Sequence, residues 1–230
     1  LLLEFEAGVG KTEVAKVLAR WTGGELIRLQ CYEGIDVSQA VYEWDYSRQL
    51  LHLRAAEATG EAAGAGAETL EADLYSERFL VKRALLRAIE VREGPVPVLL
   101  IDEVDRADDE FEAFLLEVLS DFQVSVPELG TIVAKVKPMV FLTSNNTREV
   151  SDALKRRCLH LHIPFPEAAV ERQILERRVP GLSQTLNREL VAFVQAVRQI
   201  DLKKQPSVSE TIDWAKTLLL LNSEHLNLDL

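Results

Sequence analysis

The sequence predicts an α/β fold: a parallel five-stranded sheet with helices on both faces, followed by a small helical domain. Three observations predict it. Strand-like segments recur at 1–5, 25–31, 96–101, 140–143 and 159–163, several of them continuous apolar runs, as expected of strands buried on both faces. Helical segments alternate with them up to about residue 165, the order of parallel crossover connections. After Pro164 and Pro166 only helical patterns remain.

Composition agrees. The 230 residues suit one or two domains, and 47% hydrophobic residues suffice for a real core. Lys and Arg total 26 against 37 Asp and Glu, a net charge of −11. So acidic a chain is a poor nonspecific nucleic-acid binder and a poor ligand for anionic membranes, both of which need basic patches. Two distant cysteines, Cys31 and Cys158, make neither a disulfide framework nor a CxxC motif. With no apolar run of spanning length and no signal peptide, a cytoplasmic location is expected. The opening Leu1-Leu2-Leu3 reads as the middle of a strand, as in a fragment.

The elements follow in order. After the first strand and a Gly-containing turn, Val14, Val17, Leu18 and Trp21 recur at helical spacing. Gly23-Gly24 ends that helix, and Glu25 to Cys31 forms the second strand. A helix is expected over Ile35 to about Leu53. Residues 55–73 hold eight Ala, three Gly, five acidic residues and one Leu, too little apolar surface to pack, so they read as an exposed insertion. Another helix is expected over Ser76 to Glu90, closed by Gly94-Pro95. Val96 to Ile101 is a strand and Asp108 to Phe122 a helix. Phe122 to Lys135 reads as a hairpin turning at Pro127-Glu128-Leu129-Gly130. Val140 to Thr143 and Leu159 to Ile163 complete the sheet. Helices follow at about 167–178, 185–199 and 208–221, the last with Ser207 and Glu210 at capping-box spacing. Trp21, Trp44 and Trp214, all in helical patterns, are expected to pack in the core or the helical domain.

Four segments carry chemistry. Phe5 to Thr12 reads FEAGVGKT, where Gly10, Lys11 and Thr12 match the end of the phosphate-binding pattern GxxxxGK[ST] and Phe5 occupies its first Gly position. Backbone N–H groups of Gly8, Val9, Gly10 and Glu13 at a helix start would cradle phosphate oxygens. Lys11 would reach the β- and γ-phosphates, and Thr12 would hold Mg²⁺. Val98 to Glu103 reads VLLIDE, an apolar strand ending in two carboxylates. Asp102 would hold Mg²⁺ through water, and Glu103 would orient or deprotonate the attacking water. Val140 to Asn146 ends in Ser-Asn-Asn, where Asn145 could meet a γ-phosphate or that water, since strand C-termini line the ligand crevice of a parallel sheet. Leu154 to Cys158 carries Arg156-Arg157, a possible charge-neutralising finger. Each segment alone has a plainer meaning: a chance helix start, a strand end at solvent, a turn, a solvated basic pair. Coupling between the first two favours a nucleotide site. Cys158, His160 and His162 alternate on one strand face, where a metal site competes with a plain half-exposed strand.

Together the four segments resemble the AAA+ ATPases, P-loop NTPases, and more closely the MoxR branch with its CoxD-type members. The resemblance implies ATP and Mg²⁺ as cofactors, with Lys11 and Thr12 in the loop, Asp102 and Glu103 as the strand carboxylates, Asn145 as sensor and Arg157, the arginine next to Cys158, as the finger. It implies a nucleotide-binding core over 1–165, an insertion at about 45–75, a pre-sensor hairpin at about 122–136 and a helical lid over 167–230. It also implies a homo-hexameric ring acting as a chaperone-like motor, with a von Willebrand A domain partner and a metalloenzyme client. Two departures stand out: Phe5 and the lack of a GxR-type second sensor. A non-hydrolysing assembly scaffold is the competing function. A GTPase would need an [NT]KxD run, which is missing.

Overall fold

The structure, a computed structural model, describes residues 1–4, 8–59, 72–90, 93–223 and 225–226. By the density of their contacts these fall into two units, residues 1–2 with 12–160, and residues 3–11 with 161–230. The expected exposed insertion lies largely outside the described residues, as does Phe5.

The chain runs β1 (Leu2–Glu4), α1 (Lys11–Thr22), β2 (Leu26–Gln30), α2 (Val37–Ala40), β3 (Tyr42–Trp44), α3 (Tyr46–Thr59), β4 (Leu80–Lys82), α4 (Ala84–Glu90), β5 (Val98–Asp102), α5 (Asp109–Asp121), β6 (Gln123–Val126), β7 (Gly130–Val133), β8 (Met139–Ser144), α6 (Asp152–Arg157), β9 (His160–His162), α7 (Ala168–Arg178), α8 (Gln184–Val197) and α9 (Val208–Leu220). The parallel five-stranded sheet has the order β2-β5-β8-β1-β9. β5 pairs in parallel with β2, Gln30 opposite Asp102, and with β8, Ile101 opposite Leu142. All five residues of β5 are buried, which explains its unbroken apolar run. The larger unit's core gathers Leu29, Leu86, Leu99, Ile101, Phe111, Leu115 and Leu142. The smaller unit packs Leu175 and Val179 with Leu190, Val191, Val194 and Ala215 of α8 and α9.

Helix ends follow the sequence. Asp108 caps α5 by accepting from the Phe111 amide, and Ser207 with Glu210 forms a full capping box on α9. Gly24 permits a close chain approach, since a Cβ there would meet the Val96 carbonyl oxygen at 2.1 Å.

Three expectations are corrected. Residues 35–53 are not one helix: Tyr42–Trp44 form β3, antiparallel to β4, with Trp44 opposite Leu80. Residues 76–90 are likewise divided, because Phe79 and Leu80 are buried beside β3 rather than along a helix face. Trp44 is buried, its ring edge-on to Tyr75 at 5.3 Å. Trp21, by contrast, is 84% exposed, as are Val17 at 59% and Val14 at 39%. Ala15 and Ala19 are the buried apolar residues of this helix instead; small side chains add little to an apolar pattern yet let a helix pack closely.

Candidate functional site

At the C-terminal end of β5, Asp102 is 5% exposed. A buried carboxylate is costly without partners, and here they come from three other elements. The Thr143 hydroxyl on neighbouring β8 donates to Asp102 Oδ1 and accepts the Glu103 amide at 2.9 Å. The Thr12 hydroxyl, at the start of α1, stands 3.4 Å from Oδ1 and 3.5 Å from Oδ2. Arg28, on β2, places Nε at 3.0 Å and Nη2 at 2.5 Å from Oδ2. Residues separated by 41, 90 and 74 positions thus meet on one carboxylate.

Glu103 adopts a left-handed backbone, φ 56° and ψ 49°, a conformation costing about 1–2 kcal/mol for a side-chain-bearing residue. That turn ends β5 and starts the 3₁₀ turn Val104–Arg106. The Glu103 carboxylate accepts from Arg106 Nη1 at 3.3 Å.

Asp105, to which no sequence motif assigns a role, organises the loop after β8. Its carboxylate accepts the Asn145 amide at 3.1 Å, the Thr147 amide at 2.9 Å and the Thr147 hydroxyl at 2.6 Å. Burial pushes its pKa up, but those bonds outweigh burial and hold it below the ordinary carboxylate range. Asn145 is thereby fixed through its backbone, and Asn146 takes a left-handed conformation beside it. Buried Glu112 on α5 binds Arg148 and accepts the Ser151 amide at 3.0 Å, and Ser151 caps α6. That helix carries Arg156 and Arg157, both exposed. Arg157 Nη1 donates to the Leu116 carbonyl at 3.0 Å and to the Ser120 hydroxyl at the end of α5.

The field at these strand ends is negative. Burial, followed by Asp102, Asp105, Glu103 and Glu112, pushes the Cys31 thiol up to about 12.

In the smaller unit Gly8 has φ +78°, and a Cβ there would lie 2.6 Å from the Ser207 hydroxyl, so only glycine fits. The Ser209 amide donates to the Gly8 carbonyl at 3.2 Å, which joins the loop to the start of α9. Gly10 also has a positive φ, +98°, Val9 is half-buried, and Lys11 is buried. Glu13, in the larger unit, pairs with Lys16 at 2.8 Å.

Thr12 and Asp102 are hard oxygen donors next to one another, the donor type Mg²⁺ takes from protein when nucleotide phosphates and water complete its shell. The residues present therefore fit the metal. Cys158, His160 and His162 form no metal cluster: among the described residues no group of three or more metal-ligating side chains gathers, and both histidines are exposed. Sequence reasoning missed Arg28, Asp105, Thr143 and Arg148. Only Asp105, three residues after Asp102, left a local signal.

The chain matches the AAA domain, dynein-related subfamily, over residues 1–158, and belongs to that family. No curated protein matches it. Among solved structures, the Thermotoga maritima RuvB Holliday junction branch migration motor superposes with a TM-score of 0.56 at 16% identity, covering 99% of this chain and 58% of that one. A candidate ATPase from Cytophaga hutchinsonii gives 0.52 at 16% identity, with 95% and 53% covered. This chain thus spans little more than half the length of those proteins, and the likeness is one of fold. Among the described residues no helix is long and apolar enough to cross a membrane.

Proposed function

We propose that this chain binds and hydrolyses ATP with Mg²⁺. One observation carries the reading: the Thr12 hydroxyl, the Asp102 carboxylate, the Thr143 hydroxyl and the Glu103 amide form a continuous polar chain at the strand ends. Gly8, Val9, Gly10 and Glu13 would present backbone amides to phosphate oxygens, and Lys11 its ammonium group. Thr12 and Asp102 would hold the metal, which supplies charge neutralisation on the phosphates. Glu103 accepts the proton of the attacking water. Asn145, held by Asp105, hydrogen-bonds the γ-phosphate or that water. Arg157 neutralises transition-state charge, in a neighbouring subunit's site if the chain forms the hexameric ring implied by its MoxR and CoxD-type resemblance. A lid over residues 167–230 moving against the 1–165 core, chaperone-like action on a metalloenzyme client, a von Willebrand A domain partner and a cytoplasmic location extend the same resemblance.

The test is turnover. Glu103→Gln is expected to keep ATP affinity while lowering hydrolysis by about 10²- to 10⁴-fold, read by phosphate release and calorimetric titration. Hydrolysis within a few-fold of wild type would remove Glu103 as the base. Absence of ATP binding by the wild-type chain would remove the whole reading.

A further inference from the structure

Arg28 has no part in the phosphate loop or the strand carboxylate motif, yet it makes a charged contact to Asp102. β2 alternates buried Ile27 and Leu29 with outward Arg28 and Gln30, so residues 28 and 30 share a face. Both Arg28 contacts, Nε at 3.0 Å and Nη2 at 2.5 Å, fall on the same oxygen, Oδ2. The contact is therefore not the two-oxygen fork usual between arginine and carboxylate; Oδ1 accepts from Thr143 instead. Gln30 Oε1 accepts from Arg28 Nη2 at 2.5 Å and steadies it. The partners differ in exposure: the Asp102 side chain is 7% exposed and that of Arg28 is 53%. A half-exposed cation on a long arm can swing into water at less cost than a fully buried one.

We propose that Arg28 is a removable counter-ion of Asp102. It neutralises Oδ2 while no divalent cation is bound and yields that oxygen when one arrives, so it sets the Mg²⁺ concentration at which the site fills. The physical basis is like-charge competition: a guanidinium within hydrogen-bonding distance of Oδ2 repels a dication approaching the same carboxylate. This inference rests on the nucleotide reading of Thr12 and Asp102 and adds a residue governing its metal dependence.

The experiment titrates Mg²⁺ against the binding of a fluorescent ATP analogue to wild type, Arg28→Gln and Arg28→Lys. Arg28→Gln is expected to lower the half-saturating Mg²⁺ concentration by about 3- to 10-fold, and Arg28→Lys, which keeps the charge, to stay within about 2-fold of wild type. An unchanged or higher midpoint in Arg28→Gln would overturn the proposal. Arg28→Ala repeats the charge removal should the Gln variant fold poorly by circular dichroism. A second arm follows Mn²⁺ alone by electron paramagnetic resonance. If the analogue binds neither protein, the nucleotide reading fails; tighter Mn²⁺ binding by Arg28→Gln still supports the counter-ion role, and equal binding refutes it.

Discussion

Two buried carboxylates, each facing an arginine, sit in different parts of this chain. Glu171 on α7 is fully buried, and its partner Arg198 is 4% exposed. Arg198 meets Glu171 with both Nη groups, at 2.7 and 2.8 Å, while Gln195 at 2.8 Å and Thr211 at 2.9 Å complete the carboxylate's partners. The guanidinium also donates to the Pro206 carbonyl and stacks over Phe165 at 4.3 Å. Asp102 instead takes its arginine from a half-exposed side chain, and the Thr12 hydroxyl stands next to both its oxygens at the long end of hydrogen-bonding distance. The difference lies in how freely each counter-charge can be exchanged. A carboxylate whose partners are all internal cannot exchange them without unfolding its surroundings. A carboxylate whose counter-charge reaches in from solvent can trade it for a ligand.

That comparison predicts unequal costs for equal chemistry. Arg198→Leu would strand a fully buried carboxylate and is expected to destabilise the chain by about 3–5 kcal/mol, read by urea denaturation. A loss below about 1 kcal/mol would break the contrast. Next in size, Asp105→Ala removes the acceptor of three hydrogen bonds around Asn145 and Thr147 and should cost about 1–3 kcal/mol. Because the folded pKa of Asp105 is lowered, its stabilisation is present above the unfolded value of about 3.9 and lost as pH falls through the folded value. Wild type should therefore lose more stability than Asp105→Ala between pH 6 and pH 3, and parallel pH curves would refute the assignment. Arg28→Gln should cost less than about 1 kcal/mol, as an exposed partner does, and a cost matching that of Arg198→Leu would make Arg28 structural. Smallest of all, Trp21→Gln should change stability by no more than about 0.5 kcal/mol, given its 84% exposure. A larger loss in thermal melts would mean that the α1 stripe packs after all.

Long, regular elements are legible in the amino-acid sequence alone. The helix at 109–121, the hairpin turning at residues 127–130, and the three C-terminal helices each carry a repeating pattern or a cap within a few residues. β3 and β4 are hidden from such reading, because each is three residues long and exists by pairing with the other across some 38 positions. The α1 face misleads for a different reason: the Val14, Val17 and Trp21 spacing is helical, but periodicity says which residues share a face and not which face is covered.

The candidate site divides along the same line. Lys11, Thr12, Asp102, Glu103 and Asn145 stand in short motifs whose residue types are the basis of the roles proposed for them, and the parallel α/β class followed from strand–helix alternation alone. Only the tertiary structure decided that Thr143 holds one oxygen of Asp102 while Arg28 holds the other, that Asp105 fastens the loop bearing Asn145, and that Arg157 rests on the end of α5. Local sequence sets backbone preference and periodicity over a few residues. These contacts join residues 37 to 74 positions apart, and the register of neighbouring strands and the packing of α6 on α5, which no local pattern encodes, bring them together.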